Sequence, residues 1–449
     1  MNAQEVLSSV ESALERHGIS NPRLDIAEGD SVHTVMYYPE KDMDRDTASA
    51  LSEELSSDMG RMVRVVRSGW GIVFEIPKDK ALRRERLFDD EIEKTDFDER
   101  MCLPLFLGYD TCGNPLIMDL VQAPHILISG AVRQGEGTLQ KTMIESLLRT
   151  KKPGDVQFLI ADGKMVEFSE YRKLDRSFFF GNGILWSPDE VIRHLDLLGN
   201  EIDKRYEVLS KSRCRNIEEY TKGHSDMPYI VVIVSEYADF FGRDTNERNR
   251  FLHPLIKLAQ MGRPVGIHCI ISTQRPSTEF LSGFIKANFP TRIATRCSSK
   301  VESITILDME GAEKLIGRGD MILSHNAELT RFQGLFHDTE GSVRTIMSAN
   351  DRLYSPSPLG DCQEVSVREK TSPLYDDVRS AAKLFVENGF ASTSFLQRAM
   401  GWGYVKASRV MDQLSASGVI GQAVETGVWK VKPKNMDELI QMFGQDYDS

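Results

Sequence analysis

The segment HILISGAVRQGEGTLQKTMIESLLRT, residues 125–150, constrains the fold more than any other stretch of the chain. It begins as an apolar run, passes through a loop that contains Gly130 and Gly135, and continues with apolar residues at helical spacing. A strand, a glycine-containing loop and a helix in this order are typical of a P-loop, whose backbone N–H groups and helix N-terminus hold a phosphate. The segment therefore predicts a phosphate site at the carboxyl end of a strand in a parallel α/β sheet.

The side chains that give a P-loop its chemistry are absent from this segment. A P-loop places a lysine on the β- and γ-phosphates and a Ser or Thr hydroxyl on Mg²⁺, whereas this chain has Glu136 and Gly137 at those positions. A carboxylate there would repel a triphosphate. Arg133 inside the loop and Lys141, about one turn down the helix, are the cations that could compensate. The candidate nucleotide-binding residues are Gly130, Arg133, Gln134, Gly135, Glu136, Gly137 and Thr138.

Two further apolar strands run into polar residues. The strand at 229–234 leads into Ser235 and Glu236, where a Walker B strand has an Asp that holds Mg²⁺ through water and a Glu that activates the attacking water. The strand at 268–272 leads into Gln274, which is placed to sense a γ-phosphate. Glu236 and Gln274 are therefore candidate catalytic residues. The alternative is that the first is only a polar strand end and the second only holds the loop geometry.

The chain is too long for a single core, and its pattern changes along the sequence. Residues 1–100 mix helical and strand-like pieces and predict a small α+β domain, whereas strands alternate with helices over 101–350 and predict a parallel sheet flanked by helices. A Pro/Ser-containing linker covers 351–375. Three helical patterns and a hairpin over 376–434 predict a winged helix. Residues 435–449 form a C-terminal segment with a polar tail.

Composition and charge restrict the partners. The formal net charge is −12, so DNA binding requires local basic surfaces. The six cysteines have no zinc-ligand spacing, and reduced thiols are expected. The N-terminus is polar and helical, unlike a signal peptide, and no apolar run approaches the length of a membrane span. These features predict a cytoplasmic protein that does not enter a membrane.

Seven segments occur in the order found in FtsK/SpoIIIE-family DNA translocases, which the chain resembles over nearly its whole length. The segments are PHILISG (124–130), DVQFLIADGKMVEFSEY (155–171), EIDKRYEVLS with RNIEEY beyond it (201–220), MPYIVVIVSEYADF (227–240), LAQMGRPVGIHCIISTQRPS (258–277), GFIKANFPTRIATRCSSKVESITILD (283–308) and GAEKLIGRGDMIL (311–323). The resemblance implies a small α domain, a RecA-like β domain with a P-loop NTPase core, and a winged-helix γ domain.

The resemblance also implies a ring, usually a hexamer, around double-stranded DNA, with ATP and Mg²⁺ bound between β domains. By position in the motifs, Glu236 becomes the catalytic carboxylate, Gln274 the sensor and Arg263 an arginine that acts on a neighbouring subunit. Lys406 and Arg409 become DNA-facing residues of the third γ-domain helix. The open alternatives are that Arg263 is an ordinary surface residue and that the two γ-domain cations lie on a solvated helix face.

The departures from the family cluster in the catalytic machinery. Gly135-Glu136-Gly137 replaces Gly-Lys-Ser, Ser235 replaces the Walker B Asp, and Ile304 replaces an Arg. Such losses remove about 10³-fold or more in rate. They predict a DNA-binding pseudo-motor with an impaired ATP site, in a ring of its own copies or in a mixed ring with an intact homologue. The alternative is an active ATP-driven translocase with a non-standard phosphate loop, acting in chromosome or plasmid DNA segregation or transfer.

Overall fold

The structure is a computed structural model. It describes residues 1–20, 22–39, 43–68, 71–241, 245–326, 328–354, 380–386, 390–400, 407, 410–411, 414, 419–425 and 428–431. The chain divides into two units, Met1–Pro356 and Ser357–Ser449. The finer division predicted at residues 100, 350, 375 and 434 stays a prediction. Among the described helices, none combines the length and the apolar character needed to cross a lipid bilayer.

The N-terminal part of the first unit is an antiparallel sheet with two helices packed on it. The elements are α1 (Ala3–Arg16), β1 (Leu24–Glu28), β2 (Val32–Tyr37), α2 (Arg45–Met59), β3 (Arg64–Ser68) and β4 (Gly71–Pro77), and the strand order is β1-β2-β4-β3. Asn2 and Glu5 form a capping box that starts α1. Val10, Leu51 and Phe74 belong to a hydrophobic core that is separate from the main one. The α+β character predicted for this part is confirmed.

A ten-stranded sheet forms the rest of the first unit, in the order β6-β5-β14-β13-β12-β7-β11-β10-β8-β9. Its strands are β5 (Pro104–Asp110), β6 (Pro115–Asp119), β7 (His125–Ser129), β8 (Val156–Asp162), β9 (Phe179–Leu185), β10 (Tyr229–Ser235), β11 (Ile267–Thr273), β12 (Thr291–Ala294), β13 (Asp320–His325) and β14 (Glu328–Gly334). The strands from β12 to β9 in this order run parallel.

The parallel strands are buried between layers of helices, which explains their continuous apolar sequences. Every residue of β7 and β11 is buried, as expected for strands covered on both faces. The helices are α3 (Phe88–Ile92), α4 (Glu136–Thr150), α5 (Pro188–Ser212), α6 (Ile217–Tyr220), α7 (Thr245–Met261), α8 (Gly283–Asn288), α9 (Lys300–Leu307) and α10 (Thr339–Tyr354). Short 3-10 turns cover 80–82, 169–173, 176–178, 237–240, 263–265 and 312–314. The predicted parallel sheet is confirmed, and the antiparallel strands β6, β5, β14 and β13 extend it.

A buried ion network joins the N-terminal sheet to the main sheet. Arg331 on β14 makes two hydrogen bonds to Asp320, at 2.9 and 2.7 Å, and one to Glu75 on β4 at 2.9 Å. Arg64 donates to the same Glu75 carboxylate at 3.0 and 2.9 Å. Burial alone would raise the pKa of Glu75, but the two guanidinium groups outweigh it and hold this pKa below its ordinary value. The charges of this buried cluster are therefore paired.

The second unit has its own small core. Residues 380–386 are helical, a helix follows at Thr393–Met400, and β15 (Phe390–Ala391), β16 (Ile420–Glu425) and β17 (Val428–Val431) form an antiparallel sheet in the order β15-β17-β16. Phe385, Leu396 and Leu414 are buried in this core. Helices followed by a hairpin match the winged-helix plan that the sequence predicts.

Replacing Arg331 with Ala should lower the free energy of unfolding by about 3–5 kcal/mol, because the buried Asp320 carboxylate loses its guanidinium partner and Glu75 keeps only Arg64. Urea unfolding followed by circular dichroism would measure the change. The matched control is Arg344→Ala, whose guanidinium pairs with Asp89 at the surface with its side chain 61% exposed; that change should leave the midpoint nearly unmoved. Equal, small shifts for the two variants would contradict a stabilising role for the network.

Candidate nucleotide site

The phosphate loop lies between β7 and α4, at the edge of the sheet where the parallel strands end. Ser129 Oγ donates to the Thr273 carbonyl at 2.8 Å, and the Thr295 N–H donates to the Ser129 carbonyl at 2.9 Å. Gly130 is required here because a Cβ would lie 2.0 Å from Thr295 Oγ1. The next turn uses positive φ angles at Arg133 (62°) and at Gly135 (117°). The predicted strand, loop and helix are thus present as a P-loop-like turn.

The carboxyl group of Glu136 is folded into this loop. Only 3% of the residue is exposed, and its Oε1 accepts a hydrogen bond from Thr295 Oγ1 at 2.5 Å. Burial raises the pKa of Glu136; the Thr295 hydroxyl and the backbone N–H groups of Gln134, Gly135 and Glu136 itself offset only part of that rise. The loop amides that hold a phosphate in a P-loop therefore interact with a side chain of the same loop.

The position of the missing magnesium hydroxyl is covered by a second acid. A Cβ on Gly137 would lie 2.0 Å from Glu167 Oε1, so this carboxyl group fills the space that a Ser side chain would need. Burial raises the pKa of Glu167 as well. Neither compensating cation bonds to the loop: Lys141 donates to Glu170 at 2.6 Å, and Arg133 is exposed at the loop surface.

Glu236 ties the ends of β10 and β11 together. It is 5% exposed and has a left-handed backbone, with φ 44° and ψ 63°. Its carboxylate accepts from Thr273 Oγ1 and from the Gln274 N–H, each at 2.7 Å. Its own N–H donates to Ser272 Oγ at 3.3 Å. The structure thus brings together two of the three predicted catalytic residues, because the Glu236 carboxylate bonds to the N–H of Gln274.

The remaining predicted residues lie elsewhere. Arg263 is exposed in the turn before β11. Burial lowers the pKa of His125 and His268 at the amino ends of β7 and β11, and the charge of Arg263 adds a smaller decrease. Because β11 spans about 20 Å, Arg263 lies at the opposite edge of the sheet from the phosphate loop. Lys406 and Arg409 fall outside the described residues.

Two members of the site, Thr295 and Glu167, carry no predicted role from the sequence. Thr295 directly follows β12, so its place at the carboxyl edge of the parallel strands was the available signal. Glu167 lies in a loop that Asp162 organises by accepting from the N–H groups of Lys164 and Glu167 itself at 3.1 and 2.8 Å. Nothing in the local sequence predicts that this loop packs against Gly137.

The residues present do not fit a magnesium–triphosphate. The loop amides interact with Glu136, Gly137 brings no hydroxyl and lies under Glu167, and Ser235 at the end of β10 brings no charge. A triphosphate would meet the Glu136 and Glu167 carboxyl groups where a P-loop offers a lysine and a hydroxyl. The site therefore keeps the backbone shape of a P-loop without its electrostatics.

Comparison with known proteins places the chain in a family. The sequence model of the FtsK/SpoIIIE family matches residues 89–227 and 221–278, and that of the FtsK gamma domain matches residues 369–431. DNA translocase FtsK of Chlorobaculum tepidum is 34% identical over 445 residues, covering 93% of this chain and 54% of the relative. DNA translocase FtsK of Clostridium acetobutylicum is 32% identical over 451 residues, covering 96% and 57%. The chain belongs to the FtsK/SpoIIIE family, and it spans about half the length of the curated relatives it matches.

Solved structures support the fold. The pCW3 conjugation coupling protein TcpA, in its monomer form with ATPγS, superposes with a TM-score of 0.54 at 21% identity, covering 76% of this chain and 99% of that one. EssC (ATPases 2 and 3) from Geobacillus thermodenitrificans gives 0.50 at 16% identity, covering 60% and 54%. These likenesses and the family matches confirm the predicted RecA-like P-loop NTPase core with a C-terminal winged helix.

Replacing Glu236 with Ala should lower the free energy of unfolding by about 2–3 kcal/mol, because the Thr273 hydroxyl and the Gln274 N–H lose a charged acceptor in a buried place. Chemical denaturation without nucleotide would measure this loss. Glu236→Gln keeps the shape and should cost less. Glu11→Ala, which removes an exposed carboxylate from α1, is the control and should be nearly neutral. An unchanged stability for Glu236→Ala would exclude a structural role for this carboxylate.

Proposed function

We propose that this chain is a DNA-binding, ring-forming subunit of the translocase family whose own ATP site is impaired. The observation that carries this proposal is the Glu136 carboxyl group, which is buried inside the phosphate loop and hydrogen-bonded to Thr295 at 2.5 Å. In this role the chain is a pseudo-motor, or a partner of an intact homologue in a mixed ring. In a mixed ring it would supply DNA contact and ring contacts while the intact subunits supply hydrolysis.

Electrostatics supports an impaired site. Binding a triphosphate in a P-loop depends on a lysine and a bound Mg²⁺ to neutralise its charge. Here one charge is reversed at Glu136, one hydroxyl is lost at Gly137, and one carboxylate is lost at Ser235. All three positions serve the same phosphate group. Losing a single such stabilising group costs about 10³-fold in rate, so three losses together oppose turnover strongly.

Homology supports DNA as the partner. The relatives reported above carry the name DNA translocase, and residues 369–431 match the FtsK gamma domain. A winged helix presents its third helix to duplex DNA, and Lys406 and Arg409 belong to the predicted third helix. Arg263 also suits a ring, since an exposed arginine at the edge opposite the phosphate loop cannot serve its own site but can face the site of a neighbour. A homohexamer and a mixed ring both allow this arrangement.

The second candidate function is an active ATP-driven DNA translocase with a non-standard phosphate loop, acting in chromosome or plasmid DNA segregation or transfer. The observation that favours it is the position of Glu236. This residue is buried at the end of β10, and its Oε2 accepts a hydrogen bond from the Gln274 N–H at 2.7 Å. A catalytic carboxylate next to a sensor residue is the arrangement that hydrolysis needs. In this case Arg133 would have to supply the missing charge, since Lys141 is paired with Glu170.

The unmodified chain should show no ATP hydrolysis above background, with or without duplex DNA. The variant Glu136→Lys, Gly137→Ser, Ser235→Asp restores the missing groups and should raise the DNA-stimulated rate by about 10³-fold or more. Because a Cβ at position 137 would lie 2.0 Å from Glu167 Oε1, the same variant should also be assayed with Glu167→Ala. Phosphate release under steady-state conditions is the measurement.

The control for this assay is Arg263→Ala in the restored variant. If the arginine acts on a neighbouring subunit, its loss should reduce the restored rate by about 10³-fold, whereas nucleotide binding should persist. DNA-stimulated hydrolysis by the unmodified chain would overturn the impaired site and establish the second candidate. Arg133→Ala would then show whether the loop arginine replaces the lysine.

Replacing Lys406 and Arg409 together with Ala should weaken duplex DNA binding and reduce the salt slope of the binding constant by roughly one for each lost phosphate contact. Fluorescence anisotropy at several salt concentrations measures both quantities. Lys383→Ala removes an exposed lysine from the helical segment at 380–386 and should leave the slope unchanged. Equal effects from the two variants would mean that the third helix does not contact DNA.

A further inference from the structure

The phosphate loop is closed by groups of its own chain. From one side, the backbone N–H groups of Gln134, Gly135 and Glu136 interact with the Glu136 carboxyl group. From the other side, Thr295 Oγ1 donates to Oε1 at 2.5 Å. The residue is 3% exposed, so solvent has little access to the carboxyl group and its bond to Thr295. The result is an anion cradle that already contains an acid.

We propose, resting on the function proposed above, that Glu136 is a built-in ligand of the phosphate loop, whose carboxyl group occupies the place of a bound phosphate and keeps the loop folded without nucleotide. An empty turn of this kind leaves several N–H donors without partners at the start of a helix. Burying unpaired donors is costly. A side-chain acceptor at the first position of α4 removes that cost permanently.

Chemistry and position both suit this substitution. A carboxylate and a phosphate each present acceptor oxygens to backbone N–H donors, and the positive end of a helix favours either anion. Glu136 is the first residue of α4, whose N-cap is Gly135 with a left-handed backbone. The side chain can therefore turn back on its own loop. Only one anion can occupy this volume, so the carboxyl group competes with any phosphate.

Removing the carboxyl group should uncover a small anion site. With Glu136→Ala, the same N–H groups and the Thr295 hydroxyl remain, while the acceptor is gone. Inorganic phosphate is the probe, because it tests the cradle without the base or sugar of a nucleotide. We expect weak binding, with a dissociation constant on the order of 1 mM, since the loop still lacks a lysine.

The test is hydrogen exchange of the amides at 134–136, measured by mass spectrometry on the full chain. In the unmodified chain these amides should be protected without ligand, and added phosphate should change nothing. In Glu136→Ala they should exchange about tenfold faster or more, and phosphate should restore the protection. Glu167→Ala is the matched control, because it removes a neighbouring acid that lies over Gly137 rather than in the cradle.

The variant Glu136→Gln distinguishes protection that depends on the charge of the carboxyl group from protection that depends only on side-chain packing. It keeps the shape and one acceptor oxygen but loses the charge, so its loop should exchange faster than that of the unmodified chain. This variant also serves if Glu136→Ala does not fold. Protection equal to that of the unmodified chain would overturn the proposal.

Three further results would also overturn it: a freely exchanging loop in the unmodified chain, a failure of phosphate to protect the Ala variant, and a phosphate response in the unmodified chain. Hydrolysis measurements keep the two proposals apart. An unprotected loop in a chain that does not hydrolyse ATP would contradict only the proposal that Glu136 is a built-in ligand. Hydrolysis by the unmodified chain would contradict the proposal that the ATP site is impaired.

Discussion

The parallel pairing of β7 with β11 and β12 is the constraint on which the site depends. Because parallel strands end at one edge of a sheet, the loops after these strands share one small space. Ser129, Thr273 and Thr295 are linked across this edge by backbone and hydroxyl hydrogen bonds. A change in one loop therefore alters the surroundings of the others. Replacing the P-loop lysine at this edge therefore affects all three loops that follow β7, β11 and β12.

The edge shows how a fold keeps its shape after such a loss. Glu136 is bonded to Thr295, and Glu236 to Thr273 and Gln274, so both buried acids have partners within the chain. Each partner is also a residue that positions a loop. The polar groups at this edge therefore pair with one another within the chain. This pairing supports the impaired ATP site proposed above.

The sequence predicts the parallel strands β7, β8, β10, β11 and β12 and the P-loop-like turn because both have strong local patterns: buried strands are continuous apolar runs, and the turn needs glycine at fixed places. It does not predict β9, nor the antiparallel strands β5, β6, β13 and β14; the pairing of β14 with β5 brings together residues more than two hundred positions apart. The bond between Glu136 and Thr295 spans 159 positions. The identity of Glu136 could be read from the chain, but the direction of its side chain depends on that distant partner.

A continuous path of contacts leads from the phosphate loop to the N-terminal sheet. The Gly319 N–H donates to the Gln134 carbonyl at 2.9 Å, and Asp320, the next residue, is held by Arg331, which also binds Glu75 of β4. Backbone groups and buried ion pairs of this kind resist small displacements. If the loop moved its Gln134 carbonyl, then Gly319 would have to follow or lose its partner. By ordering the phosphate loop, Glu136 therefore also stabilises the position of Asp320 at the start of β13. Asp320 in turn holds Arg331, which binds the N-terminal sheet through Glu75.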